Sequence, residues 1–255
     1  MDYIKVNKAA WDKRTKVHLT SSFYDVESFI KGKSSLNDIE LSEVGDVAGK
    51  SLLHLQCHFG QDTLSWARLG AHVTGVDLSS EAVQQARQLA ISIGQEARFI
   101  EQDIYQFGAT NRTQFDHVYT SYGVLCWLPD LDKWAQTVYG ALKPGGQFNL
   151  VEFHSLNDLL SGYSYFEQAQ ADVEEEGTYT ENCNGETSLM ATWAHPLSAV
   201  VNALIKSGIQ IESLNEFPFS PYNCFEGLEY VEGKGYQMLY KGQQVPLIYS
   251  IKGRR

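Results

Sequence analysis

GKSLLHLQCHFGQDTLSWARLGAHVTGVDLS, residues 49–79, sets two short apolar runs around a polar turn and a helix, and closes on an isolated acid. Ser51 to Leu55 reads as a buried strand, Gln56 to Asp62 as a turn holding Gly60, and Thr63 to Leu69 as a helix that Gly70 stops. Ala71 to Val76 is a second strand, and Asp77 ends it abruptly. A right-handed βαβ unit built this way sets backbone N–H groups of the first turn and a helix N-terminus beside a ligand, with the acid from the second strand close by. Such an acid suits the hydroxyls of a ribose.

A strand and helix rhythm continues outward from this unit. Ser79 or Ser80 caps a helix through Ile93, with Gly94 as its stop. Ala97 to Ile100 is a third strand, Phe115 to Thr120 a fourth, and Asp130 to Leu142 a helix. Lys143-Pro144-Gly145-Gly146 is a turn before a fifth strand, Gln147 to Phe153. The rhythm breaks at His154. Residues 154–192 are polar, acidic around Glu174-Glu175-Glu176 and rich in Tyr and Phe, which marks an insertion. Pro196 to Lys206 is helical again, Ile209 to Asn215 and Leu247 to Lys252 are late strands that suit an antiparallel ending, and 217–234 reads as an irregular loop. Before the core, helical stripes fall at 2–17 and Ser22–Ile30, and Ser35-Leu36-Asn37-Asp38 resembles a capping box for a third short helix.

The first strand and its turn, together with the strand that ends at Asp77, resemble those of the class I S-adenosylmethionine-dependent methyltransferases. Their loop runs apolar-acid-apolar-Gly-x-Gly-x-Gly, and Leu53-His54-Leu55-Gln56-Cys57-His58-Phe59-Gly60 lies over it with Gly60 alone kept. The HLQCHFGQDTL form with VTGVDLS after it is similar to a bacterial-type subgroup of that family, and a Lys-Pro-Gly-Gly turn commonly precedes the family's fifth strand. The resemblance implies an α/β, Rossmann-like fold: a mostly parallel seven-stranded sheet with helices on both faces and the last strand antiparallel. Residues 1–48 are then a helical extension serving as a lid, and 49–255 the methyltransferase domain with an insertion at about 155–192.

The implied cofactor is S-adenosyl-L-methionine. By alignment Gln56, Cys57, His58 and Gly60 approach its amino-acid end. Asp77 accepts from the ribose hydroxyls, Leu78 packs on the adenine, Asp103 and Ile104 meet the adenine edge, and Ser121 lies near the sulfonium. A side chain at Gln56 or His58 is tolerated if φ is negative or if the ligand sits further off. Other uses of these residues stay open. His54, Cys57 and His58 can satisfy the turn themselves or serve a metal, Asp77 can cap a helix, and Asp103 can be a plain loop acid. A general base is optional, since a sulfonium carries its own activation. His154 is the first candidate, with His18, Tyr24 and Tyr122 behind it, against a histidine merely bonded at a strand end.

Composition narrows the partners. Over 255 residues the net charge is −11 and the densest basic cluster is Lys252-Gly253-Arg254-Arg255, so nucleic acid and anionic membranes are repelled. No apolar run approaches the roughly 18 residues of a membrane span, and the N-terminus has no signal-like core, which suggests the cytoplasm. Four cysteines, Cys57, Cys126, Cys183 and Cys224, lack paired spacing and read as reduced thiols. The expected partner is a small molecule; aromatic residues of the extension and insertion can wall it in, or form a homodimer surface. The expected activity is methyl transfer, against a non-catalytic cofactor-binding or scaffold protein of the same fold. A nicotinamide oxidoreductase fits less well because GxGxxG is absent.

Overall fold

The computed structural model describes all 255 residues. Helices α1 (Tyr3–His18), α2 (Val26–Ile30) and α3 (Asp38–Val44) come first. The alternating core follows: β1 (Ser51–Leu55), α4 (Gln61–Arg68), β2 (His72–Asp77), α5 (Ser80–Ser92), β3 (Ala97–Glu101), α6 (Ile104–Thr110) and β4 (Phe115–Ser121). After a short 3-10 turn at Leu125–Trp127 come α7 (Leu131–Ala141) and β5 (Leu142–Phe153). Then come α8 (Leu156–Leu160), a hairpin of β6 (Asp172–Glu176) and β7 (Ser188–Thr192), α9 (Leu197–Ser207) and β8 (Gln210–Phe217). Two small hairpins, β9 (Glu229–Val231) with β10 (Gly235–Gln237) and β11 (Leu239–Tyr240) with β12 (Gln243–Gln244), precede β13 (Ile248–Arg254).

Seven strands form one sheet in the order β3-β2-β1-β4-β5-β13-β8. Strands β1 to β5 are parallel, while β13, last in the chain, runs antiparallel to both β5 and β8. The sheet is therefore mostly parallel with the last strand reversed, as the family resemblance implies. Chain order turns round between β1 and β4, and that reversal opens a crevice beyond their carboxyl ends.

Alternation along β1 decides which layer each leucine feeds. Leu53 and Leu55 join Val118, Trp134, Val138 and Leu204 on one side, while Leu52 meets Trp66, Val73 and Tyr119 on the other. A further group, with Phe59, Leu64, Val83, Ala86 and Phe99, packs α4 and α5 beneath the crevice. At Gly75, inside β2, an added Cβ would stand 2.7 Å from Cys57 Sγ and from the Phe99 ring, so bare backbone is what lets the first loop close on the second strand.

Several boundaries differ from the sequence reading. The second helix starts at Val26 rather than Ser22, because Asp25 takes a left-handed φ of 41° and its carboxylate caps Ser28 N. At the third helix the N-cap is Asn37, which makes no capping bond and sends its amide to Glu40 and Tyr222. Strand β5 runs through the Lys-Pro-Gly-Gly stretch, with its register against β4 shifting between Phe115 and His117. The insertion contains α8 and the β6–β7 hairpin, and β9 falls inside the segment read as an irregular loop. Helix α6 went unread: it is one short stretch whose start is the cap made by Asp103.

Candidate active site

The crevice is a cavity of about 530 Å³, lined by the ends of β1, β2 and β4, by α1, and by the segments around Tyr179 and Tyr222. That size falls within the range of small-molecule sites. Its floor is the loop after β1. Gln56 (φ 57°) and His58 (φ 50°) are left-handed, and so is Tyr122 (φ 39°) after β4. Each costs about 1 kcal/mol or more relative to ordinary backbone, and such residues persist where the surroundings hold them. Negative φ is thus not what admits side chains here: the loop keeps a glycine-like path with side chains attached.

Asp77 helps hold that path. One carboxylate oxygen accepts from His58 N at 2.7 Å and the other from Ser79 N at 2.8 Å. Burial pushes its pKa up to about 6 against these two donors. Ser79, not Asp77, caps α5, its hydroxyl accepting from Ala82 N at 3.0 Å. Leu78 and Ile104 face the same cavity, and so does Asp103, whose Oδ1 caps α6 by accepting from Tyr105 N and Gln106 N. Gly60, at φ 80°, starts α4 with its Cα over Phe99.

Side-chain atoms without partners face or flank this space. Gln56 donates from Nε2 to Val124 O at 2.9 Å and leaves Oε1 unpaired, and His58 leaves Nδ1 unpaired. Cys57 is buried with its thiol turned toward His58 O, and burial raises the thiol well above its usual range. His54 turns instead to Thr63 Oγ1, 2.8 Å away, and is pushed down to about 3 by burial. His54 and His58 therefore serve different neighbours. Ser121 sends its hydroxyl to Asp62 Oδ2 at 3.4 Å.

The roof comes from α1 and the insertion. Asp12 accepts from Ser79 Oγ and Glu81 N, while Lys8 donates to Leu78 O and pairs with Glu101, so α1 is fixed across the β2–α5 turn. Asn7 exchanges two bonds with the Ala191 backbone of β7. Trp11 packs edge-on to His58 and Trp127 at 5.2 Å, and His18 stacks on Tyr24 at 5.0 Å. The Tyr24 hydroxyl is bonded to that of Tyr179. Arg14 lies against the rings of Trp11 and Trp127, donates to Gly177 O at 2.6 Å and keeps Nε unpaired, and burial lowers its pKa.

One sequence expectation is corrected. His154 lies outside the cavity wall, to which its neighbour Phe153 contributes. Leu156 N donates to His154 Nδ1 at 3.1 Å, which leaves the ring proton on Nε2 to be donated to Glu216 Oε1 at 2.9 Å. With its one lone pair occupied, this imidazole has no free nitrogen to take a substrate proton. Conversely, Arg14, Asp62 and Glu152 escaped the sequence reading. Glu152 accepts from Val124 N at 2.9 Å, Leu125 N at 3.2 Å and Gly123 N, fixing the loop after β4; a lone acid inside the apolar run Leu150-Val151-Glu152-Phe153 was the available signal.

Residues 52–146 match a family model described as a methyltransferase domain. A ubiquinone biosynthesis O-methyltransferase of Salmonella arizonae is 31% identical over 143 residues, covering 54% of this chain and 57% of its own. Its counterpart in Shewanella pealeana is 30% identical over 149 residues, covering 57% and 61%. The chain thus spans less than two thirds of the length of these relatives. Among solved structures, an S-adenosylmethionine-dependent methyltransferase from Mesorhizobium loti superposes with a TM-score of 0.58 at 20% identity, covering 89% of this chain and 100% of its own. One from Clostridium acetobutylicum gives 0.60 at 16% identity, covering 97% and 98%. The chain therefore has the Rossmann-like fold of the class I S-adenosylmethionine-dependent methyltransferases, with residues 52–146 matching their methyltransferase domain.

Proposed function

We propose that this protein transfers a methyl group from S-adenosylmethionine to a small-molecule acceptor. The observation that carries the reading is Asp77: a half-buried carboxylate at the end of β2, braced by His58 N and Ser79 N, on the wall of the crevice opened by the reversal between β1 and β4. Its remaining lone pairs suit a ribose diol. Leu78 and Ile104 offer apolar contacts for adenine, with the free Asp103 oxygen at the ring's edge. Gln56 Oε1 suits the methionine ammonium. His58 Nδ1 and the Arg14 guanidinium suit its carboxylate, since Arg14 has no acid of its own and a buried charge without a partner is costly.

The cofactor supplies a methyl group already activated on a positively charged sulfur. The protein's share is to orient the two reactants and keep water out, which can be worth about 7 kcal/mol or more. Residues 1–48 and the insertion at about 155–192 would act together as the lid, Trp11, Tyr24 and Tyr179 closing over the crevice. The segment shared with O-methyltransferase relatives supports methyl transfer and leaves the acceptor to the residues of the cavity wall. No helix is long and apolar enough to cross a membrane. A cytoplasmic location and a small-molecule partner without nucleic acid, with a homodimer open to measurement, complete the reading.

Calorimetric titration with S-adenosylmethionine and S-adenosylhomocysteine, with NAD and NADP as controls, tests it. Binding of the adenosyl ligands alone is expected. Their failure to bind overturns the assignment, and binding without turnover on any acceptor favours the scaffold alternative.

A further inference from the structure

One arm of the cavity runs past Ser35 and Asn37, and its unpaired charge is acidic: Lys33, the one lysine on the cavity wall, is taken up by Asp25 at 3.2 Å. Asp62 lines it, accepting from Ser35 Oγ at 2.6 Å and from Ser121 Oγ at 3.4 Å. Behind Asn37 stands Glu40, wholly buried, with one oxygen accepting from Asn37 Nδ2 at 3.1 Å and the other without a partner. Neither acid has a lysine or arginine beside it. The hydroxyl of Tyr119, also wholly buried, has no hydrogen-bond partner, and that of Tyr122 has none either; burial, with the charge of Glu40 adding to it, raises both phenols well above their usual range. The walls are aromatic: Tyr24, Tyr179, Tyr222 and Phe225. Arg14 stands elsewhere, between the Trp11 and Trp127 rings.

Glu40 is wholly buried and Asp62 half-buried, and with no counter-ion for either each holds its proton more tightly: Asp62 is pushed up to about 6 and Glu40 to about 7, withdrawal from water being the main cause and Asp62 adding to the shift of Glu40. A positively charged guest removes that cost. Aromatic faces attract cations as well, and they repel the concentrated charge of an anion. An alcohol or a carboxylate would gain from neither feature.

We propose that this arm is an acceptor subsite for a small amine that arrives as its ammonium ion, with Asp62 as its counter-charge. The role as acceptor rests on the methyl-transfer reading above; the preference for an ammonium ion rests on the residues themselves. Proton transfer from the ammonium to Asp62 leaves a neutral amine with its lone pair and a neutral carboxylic acid, so charge balances with no outside reactant. Asn37, Tyr222 and Glu40 sit behind this pair as positioning residues.

The protein saturated with S-adenosylhomocysteine is titrated with benzylamine, benzyl alcohol and benzoate, and Asp62→Asn is titrated in parallel. Asparagine keeps the size of the side chain and an acceptor for Ser35. Benzylamine is expected to bind at least about tenfold tighter than benzyl alcohol, and Asp62→Asn to abolish that preference while S-adenosylhomocysteine affinity stays within about twofold. Benzylamine binding no tighter than the alcohol, absence of both included, overturns the proposal. So does an equal loss of S-adenosylhomocysteine affinity in Asp62→Asn, which would give this acid to the cofactor's own ammonium. Failure of the wild-type protein to bind S-adenosylhomocysteine at the outset defeats the methyl-transfer reading instead, and benzylamine preference in the free protein would still report the ammonium site.

Discussion

His58 Nε2 meets His18 Nδ1 at 2.7 Å, and the far nitrogen of His18 meets Thr178 Oγ1 at 2.5 Å, so one line of contacts joins the β1 loop, α1 and the insertion. At most one of the two rings can be charged, since two imidazolium ions cannot share one hydrogen bond. Burial, with Arg14 adding to it, holds His18 down to about 3, and burial lowers His58 as well. The roof over the cavity is thus joined to the β1 loop through rings that burial keeps uncharged at neutral pH.

The pH dependence of that joint has a definite sign. A histidine lowered from 6.5 to about 3 contributes stability that is fully present above 6.5 and is lost as pH falls toward 3. His18→Gln should therefore cost about 1–2 kcal/mol at pH 8 through lost contacts, and that cost should shrink by about 1.4 kcal/mol per pH unit below 6.5. Urea unfolding of both proteins at pH 8, 6 and 5 checks this. A gap that stays constant with pH would mean that His18 titrates normally in the fold.

Asp77 gives a second pH signature, in ligand affinity. A ribose diol donates to the ionised carboxylate, and this one titrates at about 6 because it is buried. S-adenosylhomocysteine should bind about tenfold more weakly at pH 5 than at pH 7, where protonation competes less. Asp77→Asn should bind at least about tenfold more weakly at pH 7 and lose that pH dependence. Calorimetry at the two pH values separates these outcomes, and an unchanged affinity in the variant removes Asp77 from the ribose.

How far these features could be read in the sequence depends on the range of the interactions that make them. Alternating apolar runs and the acid at Asp77 are local signals, and they predicted β1 to β4 to within a residue or so. Left-handed Gln56 and His58 were out of reach because propensity argues against them; the bond from His58 N to Asp77 that helps fix the loop joins residues 19 apart in sequence. His154 was read as a base or as a histidine bonded at a strand end, and distance in sequence again kept the two apart. Its partner Glu216 lies 62 residues away, so only the fold shows that both nitrogens are engaged. Arg14 and Asp62 become visible only once α1, the insertion and β4 surround one cavity.

Gly60 tests the loop's steric limit. It has φ 80°, and a Cβ added there would stand 2.8 Å from two carbons of the Phe99 ring, whose neighbours Ala86 and Cys57 are buried too. Backbone strain and overpacking act together at this position, so Gly60→Ala should destabilise by about 2–4 kcal/mol. Guanidinium unfolding should show the lower midpoint with an unchanged slope. A loss below about 0.5 kcal/mol would mean that the Phe99 ring moves aside freely.

Arg14 separates binding from stability. Its guanidinium is buried against two tryptophans with one carbonyl partner and no carboxylate, so in the free protein it is a charge held out of water for little return. Arg14→Gln should leave stability level or raise it, because the buried charge is gone. The same change should weaken S-adenosylhomocysteine at least about tenfold if Arg14 meets the carboxylate of its amino-acid end. Methylthioadenosine has the adenosine and sulfur but no carboxylate, and its affinity should stay within about twofold. If both ligands weaken together, Arg14 instead holds the roof in place by packing, and thermal unfolding of the variant would then show a lower Tm; a weaker S-adenosylhomocysteine beside an unchanged methylthioadenosine fixes the charge contact.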